Sequence, residues 1–165
     1  MDATFTRIDS PIGPLTLTGD GETLTSLHME LHRGRPGPAP VARRDDGAFR
    51  DAREQLDAYF AGELRQFDVP LAPIGSPWQM RVWDALREIP YGETVSYGEI
   101  AHRVGAPHAP RAVGTANGSN PIAIIVPCHR VIGANGKLTG YGGGLDRKRF
   151  LLGLERGELS FDNAA

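Results

Sequence analysis

Residues 70–75, which read Pro-Leu-Ala-Pro-Ile-Gly, divide the chain into two parts with different secondary-structure signals. Two prolines and a glycine within six residues disfavour both a helix and a central strand, so the stretch is typical of a domain boundary. With 165 residues, 40% of them hydrophobic, the chain is long enough for two small domains packed together. We therefore predict an N-terminal domain over residues 1–75 and a C-terminal domain over residues 76–165.

The N-terminal part carries the alternating pattern of a half-buried sheet. Residues 4–8, 15–18 and 24–29 combine threonines with aliphatic side chains, and turn-forming Pro, Gly and Asp residues separate these runs. The apolar residues between Phe49 and Phe60 follow helical spacing. We expect a small antiparallel sheet covered by one helix. Residues 33–44 hold four arginines and no acid among Gly, Pro and Ala, which predicts an exposed loop.

The C-terminal part is predicted to be mostly helical. Ser76 with Gln79 and Ser96 with Glu99 both fit capping boxes, and Pro77 suits a first helical position. A short turn joins the second of these helices to a third over residues 110–117, which is the order of a helix-turn-helix. Residues 122–126 are predicted as a buried strand or extended segment, and residues 145–156 as a final helix. The fold class is α/β of the α+β kind, with a winged-helix-like helix-turn-helix in the second domain.

The helix over residues 110–117 is built almost entirely from small side chains. Its glycine lowers helix propensity, so another constraint must favour small residues. They allow a backbone to approach either a neighbouring helix or a groove of DNA, and spacing alone favours helix packing. Between Ser96 and Arg156 there are eight basic residues against three acidic ones, which fits a polyanionic partner or an ordinary solvated face.

Composition excludes several classes of protein. No apolar run approaches the ~20 residues that a membrane span needs, and no charged-then-apolar leader opens the chain, so we expect a cytoplasmic protein. Cys128 is the single cysteine, which excludes an internal disulfide framework and a multi-cysteine metal site. We expect no metal and no other cofactor.

Cys128 is either an inert buried thiol or a nucleophile. A nucleophilic cysteine needs a base or a positive field to form the thiolate, and His129 and Arg130 directly follow it. Adjacency is weak evidence, because neighbouring side chains in an extended segment point to opposite sides. From spacing alone the inert thiol is favoured.

A longer string of residues changes this balance. Pro127-Cys128-His129-Arg130-Val131, preceded by Asn120-Pro121 and followed by Gly-Tyr-Gly-Gly-Gly at 140–144, closely resembles the active-site region of O6-alkylguanine-DNA alkyltransferases. The resemblance extends from residue 76 to Glu155, and Tyr59-Phe60-Ala61-Gly62 is similar to the family's first domain. It implies a methylated-DNA–protein-cysteine methyltransferase. Such a protein moves the alkyl group of a flipped O6-alkylguanine, with O4-alkylthymine as a further candidate, to its cysteine in a single turnover that inactivates it.

The resemblance also implies roles for individual residues. Cys128 is the acceptor, His129 is the base that acts through a water molecule, and Glu155 orients His129. Tyr97 donates a hydrogen bond to guanine N3, and a backbone N–H near Gly142 faces O6. The substrate-binding set comprises the carbonyls of Cys128 and Val131, which accept the exocyclic amine, with Tyr141 in the pocket wall and Asn120 as the link to the active-site segment.

The implied partner is double-stranded DNA containing O6-alkylguanine, bound through its minor groove. Arg111 corresponds to the family's arginine finger, which occupies the space left by the flipped nucleotide. The DNA-binding residues implied are Arg111, Ala112, Gly114, Thr115, Ala116, Asn117 and Tyr97. We expect a monomer in solution, with cooperative assembly on DNA left open.

The chain departs from some relatives in three respects. Its N-terminal part has no cysteine and only His28 and His32, so we expect none of the zinc that some relatives bind. We expect no N-terminal regulatory module of the kind that adaptive-response relatives carry, and therefore no direct activation of transcription. Asn117 and Gly118 stand where some relatives have a bulkier apolar residue and a basic one.

Two other classes compete with the alkyltransferase. A damage-binding protein without chemistry would resemble alkyltransferase-like relatives that replace the acceptor cysteine, and the presence of Cys128 argues against it. A cysteine hydrolase would use Cys128, His129 and Glu155 but gains nothing from a helix-turn-helix. A plain DNA-binding regulator would leave Cys128 unexplained.

Overall fold

The computed structural model describes residues 3–32, 35–36, 42–136, 141 and 144–158. The strands are β1 (Thr4–Ile8), β2 (Leu15–Gly19), β3 (Leu24–Met29), β4 (Leu31–His32), β5 (Arg35–Pro36), β6 (Arg43–Arg44), β7 (Val95–Ser96) and β8 (Val131–Ile132). The helices are α1 (Arg50–Phe60), α2 (Pro77–Arg87), α3 (Tyr97–Arg103), α4 (Pro110–Gly118) and α5 (Leu145–Glu155), and a 3-10 turn spans Cys128–Arg130. None of the helices in these ranges is long and apolar enough to cross a lipid bilayer.

The predicted antiparallel sheet is present, with strand order β3-β2-β1-β6. Its register pairs Thr6 with Leu17 and Leu17 with Leu27, and both leucines are fully buried. The alternation of threonine and leucine therefore produces one face that packs into the core, as the sequence predicts.

The prediction of an exposed loop over residues 33–44 is wrong for part of this stretch. Arg43–Arg44 forms β6, which pairs in parallel with β1. The amide of Arg43 donates to the carbonyl of Ala3 at 3.0 Å, and both arginine side chains remain exposed. An edge strand needs only backbone partners, so the two charged side chains of Arg43–Arg44 do not prevent it. Arg35–Pro36 forms β5 against β4, and the remaining residues up to position 41 lie outside the described residues.

Helix α1 connects the sheet to the rest of the core. Its first turn follows Phe49, which has a left-handed φ of 57° and whose amide donates to the carbonyl of Gly21 at 2.7 Å. Its buried side chains are Ala52, Leu56, Tyr59 and Phe60, the apolar positions from which the helix was predicted. The helix ends before Gly62, whose φ of 76° suits a residue without a side chain.

Of the two predicted capping boxes, one is complete. The Ser76 hydroxyl accepts a hydrogen bond from the backbone N–H of Gln79. The side-chain oxygen of Gln79 accepts one from the backbone N–H of Ser76, so α2 begins as expected. Ser96 also accepts from the amide of Glu99, but the Glu99 carboxylate pairs with Arg103 at 3.3 Å instead of closing the box. Ser96 belongs at the same time to β7, whose backbone pairs with β8.

Residues 122–126 form neither the strand nor the extended segment that the sequence predicts. Only Ile122 makes a bridge, to Leu27 of β3, and the next residues turn, with Ile124 at a φ of 73°. The Leu27 amide donates to the carbonyl of Pro121, and the Ala123 amide donates to the carbonyl of Leu27. The run therefore begins beside the edge strand β3, most of its side chains are buried, and the turn leads the chain to Cys128.

Candidate active site

Cys128 is the first residue of the 3-10 turn and is buried. Asn120 fixes the segment before it, because its amide donates to the carbonyl of Val126 at 2.8 Å and its oxygen accepts from the Ile122 amide at 3.0 Å. Asn117 of α4 donates to the carbonyl of Cys128 at 3.4 Å. Two asparagines therefore connect α4 and its C-terminal end to the segment that carries the thiol.

The thiol lies in a site that disfavours its charged form. Burial raises the pKa of Cys128, and a hydrogen bond from Asn120 and the positive charge of Lys148 offset this only in part. The resting cysteine is therefore a neutral thiol, and its activation requires a group that removes the proton.

His129 is placed to be that group. Its Nε2 lies 2.6 Å from Oε2 of Glu155, and neither side chain is exposed to solvent. Its Nδ1 is buried and has no hydrogen-bond partner among the described residues. Burial lowers the pKa of His129, so the neutral imidazole donates through Nε2–H to the carboxylate and keeps the Nδ1 lone pair available.

Glu155 is held by five hydrogen bonds within the described structure. Its Oε2 accepts from Tyr59 Oη at 2.6 Å, from Arg130 Nη2 at 3.0 Å and from His129. Its Oε1 accepts from Arg130 Nε at 2.7 Å and from the Gly92 amide at 3.3 Å. We call Glu155 with Tyr59, Gly92, His129 and Arg130 the carboxylate cluster. Burial raises the pKa of Glu155, but His129 and Arg130 outweigh that effect and hold it well below its usual range.

Lys148 is a buried cation beside the same site. Its Nζ donates to the carbonyl of Val131 at 2.5 Å, and its side chain has no exposed surface. Burial lowers its pKa to about 8, and the neighbouring Cys128 opposes this effect. Val131 is in turn fixed by β8, which pairs with β7 next to Tyr97.

Tyr141 lies against the thiol. Its hydroxyl is buried and has no hydrogen-bond partner in the described part of the chain. Burial raises its pKa well above the usual value, and the nearby Cys128 adds to this effect. Gly142, for which the resemblance implies a backbone contact to O6, lies outside the described residues.

The structure separates the predicted DNA-binding residues into two groups. Arg111, Ala112 and Thr115 are exposed on α4, and a methyl group on Gly114 would lie 3.8 Å from the Tyr97 ring, so α3 and α4 meet there. Ala116 and Asn117 are instead 2% and 4% exposed. Ala116 accepts a hydrogen bond from Trp83, and Asn117 faces Cys128. These two side chains cannot reach DNA in this conformation, because they form the inner side of the helix.

Comparison with known proteins identifies the family of the chain. Residues 77–157 match the model described as 6-O-methylguanine DNA methyltransferase, DNA binding domain, and residues 4–73 match the ribonuclease-like domain of the same family. The chain belongs to the 6-O-methylguanine DNA methyltransferase family.

Relatives and solved structures match this family member over nearly its whole length. The methylated-DNA–protein-cysteine methyltransferase of Mycobacterium bovis is 61% identical over 158 residues, covering 96% of this chain and 95% of the relative. That of Methanosarcina acetivorans is 58% identical over 151 residues, covering 92% and 97%. A crystal structure of Mycobacterium tuberculosis OGT in complex with DNA superposes with a TM-score of 0.91 at 60% identity, covering 98% of each chain.

These matches confirm the predicted family, fold class and enzyme class. The domain boundary at residue 75 and the individual site residues stay predictions. Three residues of the site escaped the sequence analysis. The sequence did not predict a function for Arg130 or Lys148, although both belong to the excess of basic residues between Ser96 and Arg156. A sequence signal for Lys148 does exist, since Lys148 lies seven residues before Glu155 and therefore on the same face of the helix. Tyr59 is 96 residues from Glu155, and no local pattern connects them.

No group of three or more His, Cys, Asp or Glu side chains is arranged to hold a metal ion in the part of the chain that the structure describes.

Proposed function

We propose that this methyltransferase repairs DNA by moving the alkyl group of O6-alkylguanine to the sulfur of Cys128, once per protein molecule. The observation that carries the proposal is the buried arrangement of Cys128, His129 and Glu155 in a chain whose relatives are named for this transfer. A neutral thiol needs a base, and the Nδ1 lone pair of His129 supplies one.

The proton and the alkyl group move in opposite directions. His129 Nδ1 takes the proton of Cys128, directly or through one water, and its Nε2–H stays bonded to Glu155, which stabilises the imidazolium. The thiolate attacks the alkyl carbon, the S–C bond forms, and the C–O6 bond breaks. The electron pair of the broken bond stays on guanine, which takes up, through water, the proton that His129 removed from the thiol. Tyr97 would donate to guanine N3 and stabilise the leaving base. The product is a thioether, which cannot be displaced again, so the protein is inactive afterwards.

Backbone carbonyls would recognise the base. The carbonyls of Cys128 and Val131 would accept the exocyclic amine of guanine. Asn117 and Lys148 hold these two carbonyls in place. Tyr141 would form part of the pocket wall, and the amide of Gly142 would face O6. Asn120 would hold this segment in a fixed position relative to α4 through its hydrogen bond to Val126.

Helix α4 would lie against the minor groove. The exposed side chains of Ala112 and Thr115 are small enough to let the backbone approach the groove closely. Arg111, exposed in the first turn, would enter the base stack and fill the space of the flipped nucleotide. Tyr97 and Gly114 would support the neighbouring phosphate contact, whereas Ala116 and Asn117 would support the helix from inside.

We further propose that the protein acts in the cytoplasm as a monomer. A catalytic thiol must stay reduced, which the cytosol favours. The division into residues 1–75 and 76–165 is also proposed, and the two family matches at 4–73 and 77–157 support it.

A restriction-site assay tests direct reversal. A duplex with O6-methylguanine inside a restriction site resists the nuclease until guanine is restored. Incubation with excess protein should make the site cleavable, and the Cys128→Ala variant should leave it resistant while still binding the duplex. Cleavage restored by the Cys128→Ala variant would contradict the proposal. Binding without restoration by the unaltered protein would favour a damage sensor, and turnover of an ester or peptide substrate would favour a hydrolase.

A further inference from the structure

Tyr59 brings the N-terminal helix α1 into the carboxylate cluster. Its ring is fully buried, and its hydroxyl donates to Oε2 of Glu155 at 2.6 Å. The same oxygen bonds to Nε2 of His129, also at 2.6 Å. Tyr59 and His129 lie in different parts of the chain, yet both make a short hydrogen bond to this oxygen, which also accepts from Arg130 Nη2.

Aromatic packing fixes the position of the Tyr59 hydroxyl. The ring centroid lies 5.3 Å from Phe60, 5.3 Å from Phe67 and 6.2 Å from Tyr91. Burial, followed by the negative charge of Glu155, raises the pKa of Tyr59 well above its usual value. The phenol therefore stays protonated and acts as a donor to the carboxylate.

Glu155 does not need Tyr59 for charge compensation. Arg130 already makes two hydrogen bonds to the carboxylate, one to each oxygen. The Gly92 amide is a further donor to Oε1. The phenol instead competes with His129 for electron density on Oε2. Each hydrogen bond to this oxygen makes it a weaker acceptor for the other donors. Its effect should therefore appear at the imidazole.

We propose that Tyr59 is a positioning residue for alkyl transfer, which acts through Glu155 to limit how strongly the carboxylate holds the protonated form of His129. This inference rests on the proposed role of His129 as the base. It also gives the N-terminal part of the chain a direct function in the chemistry, since α1 supplies one of the groups that set the basicity of the imidazole.

The electrostatic surroundings of His129 come from several elements. The titratable and charged groups that face it or its carboxylate are Cys128 and Arg130 of the 3-10 turn, Lys148 and Glu155 of α5, Tyr59 of α1, and Tyr91 and Tyr141 from the connecting segments. Of the tyrosines, only Tyr59 donates a hydrogen bond to Glu155 in the described structure. Tyr91 packs its ring 5.8 Å from the Arg130 guanidinium instead, and so offers a matched control.

The test compares single-turnover methyl transfer by the full chain across pH. We expect the rate to fall at acidic pH as His129 becomes protonated, and we call this part of the pH–rate profile the acid limb. Tyr59→Phe should raise the pKa of His129 and shift the acid limb to higher pH by about one pH unit, the effect of one hydrogen bond to a charged group. The rate on the acid side should fall about tenfold, with a smaller change above neutrality. Tyr91→Phe should leave the limb in place. Incorporation of 3-fluorotyrosine at position 59 keeps the shape and strengthens the donor, so the limb should move downward.

Several results would overturn this inference. One is a folded Tyr59→Phe protein whose acid limb coincides with that of the unaltered chain. Another is a rate loss that is equal at every pH and accompanied by a lower melting temperature, which would indicate packing alone. A His129→Gln variant in the same series separates the two claims. If it abolishes the limb while Tyr59→Phe leaves the limb unmoved, only the role of Tyr59 fails. If it retains the limb, the proposed base itself is wrong.

Discussion

At the scale of single residues, the ion pair between Arg130 and Glu155 is the interaction with the largest expected effect on stability. Both side chains are buried, and the Nε–Oε1 distance is 2.7 Å. Arg130→Met would leave the carboxylate buried without its cation, and we expect the free energy of unfolding to fall by about 3–5 kcal/mol. Urea denaturation measures this change.

The matched control for that experiment is the exposed pair between Arg103 and Glu99, 3.3 Å apart on the surface of α3. Arg103→Met should cost no more than about 0.5 kcal/mol, because water screens such pairs. An equal loss in the free energy of unfolding in the two variants would contradict the view that Arg130 stabilises the buried charge of Glu155.

The same residues predict how stability depends on pH. Burial lowers the pKa of His129, so below its ordinary value of 6.5 the unfolded chain takes up a proton that the folded chain resists, and stability falls. The depressed pKa of Glu155 stabilises the fold above the ordinary value of 4.5, and this contribution is lost as the pH falls further. Urea midpoints measured from neutral to acidic pH should decline in these two ranges. A His129→Gln variant that declines as steeply below 6.5 would contradict the assignment.

At the scale of elements, α4 is expected to separate DNA binding from chemistry. Arg111→Ala removes an exposed side chain in its first turn and leaves the buried site untouched. We expect methyl transfer from duplex DNA to slow by about tenfold or more, because base flipping costs a few kcal/mol that this residue offsets. Transfer from the free base O6-methylguanine should stay unchanged.

A suitable control is Arg149→Ala on α5, where the exposed arginine pairs with Asp146 at 3.1 Å. It removes the same charge away from α4 and should slow neither reaction by more than about twofold. A parallel loss of both reactions in Arg111→Ala would place Arg111 in the chemical step and contradict its assignment to the DNA surface.

The elements also mark where local sequence patterns suffice. Helix α2 was predicted from Ser76, Pro77 and Gln79 because a capping box is a local interaction among neighbouring residues. Residues 122–126 were not, because their conformation depends on Leu27 of a distant strand and on a left-handed Ile124 that propensity disfavours. The edge strand at Arg43–Arg44 is likewise formed by backbone pairing that side-chain patterns do not encode.

At the scale of the whole molecule, the site is assembled from both parts of the chain. The resemblance of the Cys128 string to a family pointed to Cys128, His129 and Glu155, and the structure brings His129 and Glu155 together. The resemblance could not point to Tyr59, because its partner Glu155 lies 96 residues away and their hydrogen bond depends on how α1 and α5 are placed in the folded chain. Buried polar contacts between distant segments are set by packing, and a single sequence carries no signal for them.

The central claim is transfer of the alkyl group to Cys128, and intact-protein mass spectrometry tests it most directly. The protein is incubated with a duplex that contains O6-methylguanine, then weighed and digested. We predict that one methyl group replaces one proton in each protein molecule, on the peptide that contains Cys128, and that the Cys128→Ala variant gains nothing. A protein that restores guanine but stays unmodified, or carries the methyl group on another peptide, would contradict the account.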